Sequence, residues 1–346
     1  MIFTGPVTLA LLHATGVTAL LVLFGTFAFR AWMLDLAAAG AFARALWQVE
    51  TIAAVAAMVC SAAWFLAEAA LLGDTRSLAQ AIATVPAMLH YLGFARALLI
   101  RLGVLVLVLA GLAPGPAQGG RGTVLFVLAG AALGIEPWLG HAGAAGGMAG
   151  AVLPGAELIH LAGAAIWFGG LPALLAVLHR GTPATVGRAL RRFSAASVVA
   201  VIAIAAGGAA QGWFLVGNAA GLSGTGYGRA VLLKTALFAA VLALAGVNRL
   251  VLMPRLDSAG AAVARARLRG SVAIEAALGL TIVLTAGWLA GLAPAADQAA
   301  AARAWPWLPA ALIVAAACAG AAWFARPVAV SEIQISGVAN DSPPGC

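Results

Sequence analysis

The chain has 346 residues, of which 64% are hydrophobic and only 9% are charged, and its mean hydropathy is +1.05. A soluble domain carries roughly 25% charged residues, so this composition excludes a soluble globular protein and predicts an all-α integral membrane protein. The net charge of +8 does not indicate nucleic-acid binding, because the arginines fall at predicted helix ends rather than in one basic patch. The three cysteines form no CxxC pair and give no disulfide framework.

Nine segments are long and apolar enough to cross a bilayer as helices. In chain order they cover residues 6–29, 52–72, 90–113, 122–140, 156–178, 194–216, 229–250, 270–291 and 305–325. We expect the first helix to be retained rather than cleaved, because the N-terminus lacks a basic region and a clear small-residue cleavage site.

The first eight spans divide into two similar halves. His13 and His160 each stand near the start of a long apolar helix, and further matches follow in the same order downstream. These matches pair Trp64 with Trp213, Arg101 with Lys234, and Arg121 with Arg269. The pattern predicts two parallel four-helix repeats, 1–150 and 151–295, related by a pseudo-twofold axis along the membrane normal. An extra transmembrane helix and a tail, 296–346, follow them.

Lysine and arginine residues are distributed unevenly between the two sides of the predicted bundle. Thirteen arginines fall on one side and six basic residues on the other. The positive-inside rule places the richer side in the cytoplasm, so we expect a periplasmic N-terminus and a cytoplasmic C-terminus. Four of the five histidines then lie near the outer leaflet.

Three of these histidines, His13, His141 and His160, are the main candidate metal ligands. Neutral imidazole is the commonest metal ligand in proteins and suits copper, zinc, iron and nickel. Weaker candidates on the same side are His90, Glu157 and Met148. Because the chain has only six methionines, we expect a site dominated by imidazole. For each single histidine, a structural role at a helix end, bonded to a carbonyl or to water, is the alternative.

Other polar residues in the spans have structural explanations. The basic residues that begin the third and seventh spans are expected to snorkel to the interface; they are Arg96, Arg101, Arg229 and Lys234. Glu275 is expected to pair with Arg249 or to bond Asn248. A path for metal below the histidines has few polar groups, namely Met58, Cys60, Ser61 and Gln211.

A family resemblance rests on the segment from Gly140-His141-Ala142 to His160-Leu161-Ala162-Gly163 and on to Trp167-Phe168-Gly169-Gly170-Leu171. This segment resembles the core of the CopD/PcoD copper-resistance membrane proteins. Further matches are Gln211–Gly217, Tyr227–Arg229 with Lys234, Asn248–Arg249, and Arg269–Val272 with Glu275. The resemblance is strong over residues 155–290 and looser over 1–150.

The resemblance implies a copper-binding protein of the bacterial inner membrane that imports copper received from a periplasmic CopC-type partner. It also implies that His13, His141 and His160 correspond to the family histidines and that the bound metal is copper.

Other functions stay open at this point. The sequence holds no nucleophile–base set, P-loop, dinucleotide fingerprint or HExxH motif, so we expect no enzyme. A helical bundle with paired histidines could instead bind haem and carry electrons. A membrane copper chaperone that binds but does not transport, or a factor that only docks another protein, are further alternatives.

Overall fold

The computed structural model describes residues 5–75, 77–258 and 260–298, and the chain is helical through nearly all of them. Thirteen α-helices follow one another in this described part: α1 Pro6–Trp32, α2 Leu36–Leu72, α3 Leu78–Tyr91, α4 Gly93–Leu112, α5 Gly119–Gly134, α6 His141–Ala144, α7 Gly147–Trp167, α8 Leu171–Arg180, α9 Pro183–Leu215, α10 Ala219–Gly224, α11 Gly226–Val247, α12 Ala261–Ala290 and α13 Ala295–Gln298. Short turns of other helix types occupy Glu136–Leu139, Asn248–Leu252 and Met253–Asp257.

Eight helical segments among the described residues are long and apolar enough to span a membrane, which confirms the all-α membrane class. They correspond in order to the first eight predicted spans. The predicted ninth span, 305–325, lies outside the described residues. So does the predicted tail that follows it, up to residue 346.

Successive spans run in opposite directions, so the bundle has two ends. We call one the histidine end: α1 begins there, and α5 ends there ahead of His141. We call the other the arginine end: α1 ends there at Arg30 and α9 begins there ahead of Arg188, Arg191 and Arg192.

The second span is much longer than the predicted 52–72, because α2 begins at Leu36. Asp35 caps its first turn by accepting a hydrogen bond from the Ala38 amide at 2.9 Å. The residues between 36 and 51 are mostly alanine and other good helix formers, so the helix continues past the apolar stretch. At 1.5 Å per residue its 37 residues measure about 55 Å, well beyond the roughly 30 Å hydrocarbon core.

The fifth predicted span, 156–178, is two helices, α7 and α8, separated by a turn at Phe168, Gly169 and Gly170. In addition α7 begins at Gly147, ahead of the predicted start at residue 156, so most of the chain between His141 and Glu157 is helical.

The two halves meet where α1 crosses α7. A side chain at Gly169 would overlap the backbone carbonyls of Leu21 and Ala165, and one at Gly25 would overlap Ala165 and Gly169. Around this crossing, α1 buries its large apolar side chains against both halves; they include Leu20, Leu21, Leu23, Phe27 and Phe29. The α1 helix therefore forms the centre of the packed core and fixes the relative height of the two halves.

Candidate metal site

His13 lies in a buried polar group built from three separate elements of the first half. Its Nε2 atom is 3.3 Å from one carboxylate oxygen of Glu136, and the other oxygen of Glu136 is paired with Arg101 of α4. Arg101 and Glu136 are only 3% and 4% exposed. The expectation that Arg101 snorkels to the interface is therefore wrong, because its guanidinium has a buried carboxylate partner instead.

The position of Glu136 follows from the local sequence. The α5 helix ends at Gly134, and Pro137 then lies at the start of the short 3₁₀ turn Glu136–Leu139. This turn points the chain back across the bundle, so Glu136 reaches both α4 and the α1 face that carries His13. The indole of Trp64 closes that face, with its ring centroid 5.1 Å from the imidazole of His13.

His160 has a different partner in the second half. Its Nδ1 atom is 2.9 Å from the carbonyl oxygen of Ile204 in α9. The α9 helix comes this close because Gly207 has no side chain: an added Cβ there would lie 2.8 Å from the Cβ of His160. The glycine thus makes room for the imidazole between two closely packed helices.

Charged groups surround His160 as well. Glu157 stands one turn earlier on the same helix, and Lys234 of α11 is within electrostatic range of both residues. Glu157 is also within electrostatic range of Glu136, although the two carboxylates belong to different halves. Each half therefore contributes a histidine, a carboxylate and a basic residue to the histidine end.

The nearest partner of each imidazole indicates which ring nitrogen of each histidine is free. A carbonyl oxygen only accepts, so Nδ1 of His160 carries the proton and donates it to Ile204, which leaves the Nε2 lone pair available. Glu136 lies 3.3 Å from Nε2 of His13 as a charge partner, and a proton on that nitrogen leaves Nδ1 available. Metal-binding histidines are oriented in this way, with one ring nitrogen donating and the other coordinating.

The two histidines also lie at matching heights. His13 precedes Leu21 by eight residues and His160 precedes Gly169 by nine, and Leu21 and Gly169 touch at the crossing of α1 and α7. At 1.5 Å per residue, both imidazoles are about 12–14 Å from this crossing toward the histidine end.

The remaining candidates lie at the same end but are less closely associated. Nε2 of His141 is buried without a hydrogen-bond partner, and its ring centroid is 6.4 Å from that of Tyr227. His90 is exposed on α3 and packs its ring edge-on against Tyr91 at 4.6 Å. Met148 is 75% exposed in the first turn of α7.

Within the described ranges, no group of three histidine, cysteine, aspartate or glutamate side chains is placed to hold a metal ion. The fold brings the predicted histidines to one end of the bundle without closing them around one point. Tyr227 is a neighbour of His141 that the sequence does not predict as a site residue. The only indication in the sequence is its place in a Tyr-Gly-Arg segment, which lies at the start of α11.

Of the polar groups expected below the histidines, Cys60 and Ser61 are in place. Gly16, one turn inward from His13, packs against both, and an added Cβ there would lie 3.5 Å from the Cβ of Cys60. Gln211 is not below His160, because α9 runs toward the histidine end and Gln211 follows Gly207 by one turn.

Toward the arginine end, Asn248 donates a hydrogen bond to Glu275, which confirms one of the two partners expected for that carboxylate. The other expected partner, Arg249, bonds the Oγ and carbonyl oxygen of Ser194 instead. A cavity of about 760 Å³ lies beside this pair between α9 and α11, and its lining is mostly aliphatic. Such a lining offers little to a metal ion.

Comparisons with known proteins give a consistent picture. Two family models match: copper resistance protein D over residues 187–289, and the copper resistance protein D-like N-terminal domain over residues 4–151. Copper resistance protein D of Pseudomonas syringae pv. tomato is 31% identical over 179 residues, which cover 49% of this chain and 58% of that protein. Copper transport protein CutJ of Bacillus subtilis (strain 168) is 30% identical over 134 residues, which cover 38% of this chain and 23% of that protein. No solved structure gives a significant match.

Proposed function

Because the chain belongs to the copper resistance protein D family, we propose that it imports copper across the bacterial inner membrane through histidines at the histidine end. The observation that supports this most directly is the pair His13 and His160. One ring nitrogen of His160 is bonded to a carbonyl oxygen, and one ring nitrogen of His13 lies 3.3 Å from a carboxylate. Each histidine thus has its other ring nitrogen free, and both are at matching heights in the two halves.

Copper is the transported substrate in this proposal. His13, His160 and His141 are its ligands, and His90, Glu157 and Met148 are accessory groups nearer the surface. Since the described residues hold no closed three-ligand group, the ion is bound by two of the histidines at a time or after a movement of α6. The donor at this end would be a periplasmic CopC-type copper-binding protein, and the protein would act without catalysing a reaction.

The inward path in this proposal starts at Cys60, whose thiol suits Cu(I) and which lies one turn below His13. Beyond it, the cavity beside Asn248 and Glu275 is lined mostly by aliphatic side chains. An importer needs such a path, whereas a copper chaperone of the membrane does not. Copper binding and copper transport must therefore be measured separately.

Binding is tested by metal analysis of purified protein after exposure to copper. We expect the wild type to retain copper, His160→Ala to lose most of it, and His179→Ala to match the wild type. His179 is a suitable control because its Nδ1 bonds its own helix at the carbonyl of Leu175, at the arginine end. Equal copper content in His160→Ala and the wild type would refute the site, and a haem Soret band in the purified protein would favour the electron carrier.

A further inference from the structure

A second cavity, of about 480 Å³, opens at the arginine end between the two halves. Its polar walls come from both: α2 supplies Arg44 and Gln48, and the junction of α8 and α9 supplies Arg180, Thr182 and Thr185. We call it the basic cleft. It shares no residue with the copper site, which lies at the other end of the bundle.

The charge of the basic cleft is not balanced by neighbouring acids. No acidic residue lines it, and α8 and α9 contain none. On the α2 side, Glu50 is buried against Arg30 at 3.2 Å, and Asp35 is paired with Arg188 at 3.0 Å.

Two further charged groups, Asp35 and Arg265, do not compensate Arg44 and Arg180 either. The Ala38 amide and, less strongly, Arg188 lower the pKa of Asp35, so this carboxylate stays ionised and engaged. Arg265 of α12 donates to the carbonyls of Leu178 and Gly181 beside the cleft, which adds another positive charge there.

The other walls of the basic cleft are apolar. Its apolar side chains are Ala38, Ala41, Phe42 and Ala45. Because α2 is about 25 Å longer than the hydrocarbon core, its first turns extend into the interface at this end. At this depth, a cleft with one anion-binding wall and one apolar wall suits an amphiphilic ligand better than a soluble ion.

We propose that the basic cleft binds the phosphate head group of an anionic phospholipid and thereby joins the two halves at the arginine end. Arg44 from the first half and Arg180 from the second contact the phosphate, and the two threonines and Gln48 bond its oxygens. The guanidinium group is well matched to phosphate, since it offers several donors in a planar fork. Basic clefts between transmembrane helices are suited to anionic lipids for these reasons.

The test compares spin-labelled phosphatidylglycerol with spin-labelled phosphatidylcholine as neighbours of the whole protein in phosphatidylcholine vesicles. The wild type should prefer phosphatidylglycerol. The double variant Arg44→Gln/Arg180→Gln should bind it on the order of tenfold more weakly, while Arg44→Lys/Arg180→Lys should keep most of the preference. The matched control is Arg255→Gln/Arg267→Gln, which removes the same charge at the same end from exposed residues outside the cleft.

Each outcome decides the proposal. It is overturned if the wild type shows no preference, or if both glutamine pairs reduce the preference equally, because the effect would then be general surface potential. A further arm adds millimolar inorganic phosphate to the protein in phosphatidylcholine alone. Thermal stabilisation by phosphate that depends on Arg44 and Arg180 would assign the cleft to a soluble anion and overturn the lipid.

Discussion

The carboxylate of Glu136 determines how His13 is held. An ionised carboxylate buried in an apolar bundle is unstable unless a positive group compensates it, and Arg101 does so from α4. With its charge balanced, Glu136 can attract a proton on Nε2 of His13 and leave Nδ1 free. Arg101 is thus a positioning residue, which acts on the metal site only through Glu136.

Removing one member of this buried pair should destabilise the protein strongly. We expect Glu136→Gln to lower the free energy of unfolding by about 3–5 kcal/mol, because Arg101 would remain buried without its carboxylate. Arg188→Gln breaks the half-exposed pair with Asp35 and should change the unfolding midpoint little. Thermal melts of both variants in the same detergent give the comparison, and equal midpoints would contradict the role assigned to the pair.

The sequence predicts the histidines but not their partners, for a physical reason. Hydropathy and helical spacing give the depth of His13 and His160 within their own spans. They do not give the rotation of one helix against another, so the contact of Arg101 with Glu136, which lies 35 residues away in the chain, is not readable from spacing. For this reason the sequence predicts an interfacial position for Arg101 and no particular neighbour for Tyr227.

Helix packing in this bundle depends on a few glycines. Four of the GxxxG pairs in the sequence are Gly130/Gly134, Gly143/Gly147, Gly208/Gly212 and Gly287/Gly291. In each of them at most one glycine is in close contact: Gly130 meets Phe24, Gly143 meets the backbone of Trp138, and Gly287 meets Ala14, whereas Gly212 has open space. The tightest approach, between Gly169 and the carbonyl oxygen of Leu21, lies outside these pairs. Spacing alone therefore does not identify the glycines that let α1 and α7 cross.

A methyl group at that crossing should separate the halves. Gly169→Ala places a Cβ onto the carbonyls of Leu21 and Ala165, and we expect a loss of about 1–3 kcal/mol of stability. Gly212→Ala is the matched control, since a Cβ there meets nothing within 4 Å and an alanine favours the helix. Unfolding midpoints in detergent measure the difference, and a Gly169→Ala protein as stable as Gly212→Ala would show that the crossing is looser than described.

The existence and order of the eight described spans were predictable, because each contains a long apolar segment. The residues at which these helices begin and end were not predictable from hydropathy. The first turns of α2 contain Arg44, Gln48 and Glu50, which lower the local hydropathy while remaining compatible with a helix. The break between α7 and α8 lies inside a continuously apolar segment, where hydropathy gives no signal.

Across the whole molecule, orientation in the membrane decides whether copper meets the histidines first. The arginines at the ends of α1 and α8 and at the start of α9 and α12 predict, by the positive-inside rule, that the arginine end is cytoplasmic. A periplasmic reporter enzyme fused after Gly73 or Ala295 should then be active, and one fused after Gly181 or Ser258 should be inactive. The reverse pattern would move the histidine end to the cytoplasm and rule out import through it.

Copper accumulation inside sealed proteoliposomes, with His160→Ala compared against His179→Ala, tests the central claim most directly. Import through the histidine end predicts that the wild type and His179→Ala accumulate copper in the lumen without ATP, and that His160→Ala does not. Accumulation by His160→Ala at the wild-type rate would contradict the account. Stoichiometric binding by the wild type with no copper in the lumen would also contradict it and would identify a copper chaperone of the membrane.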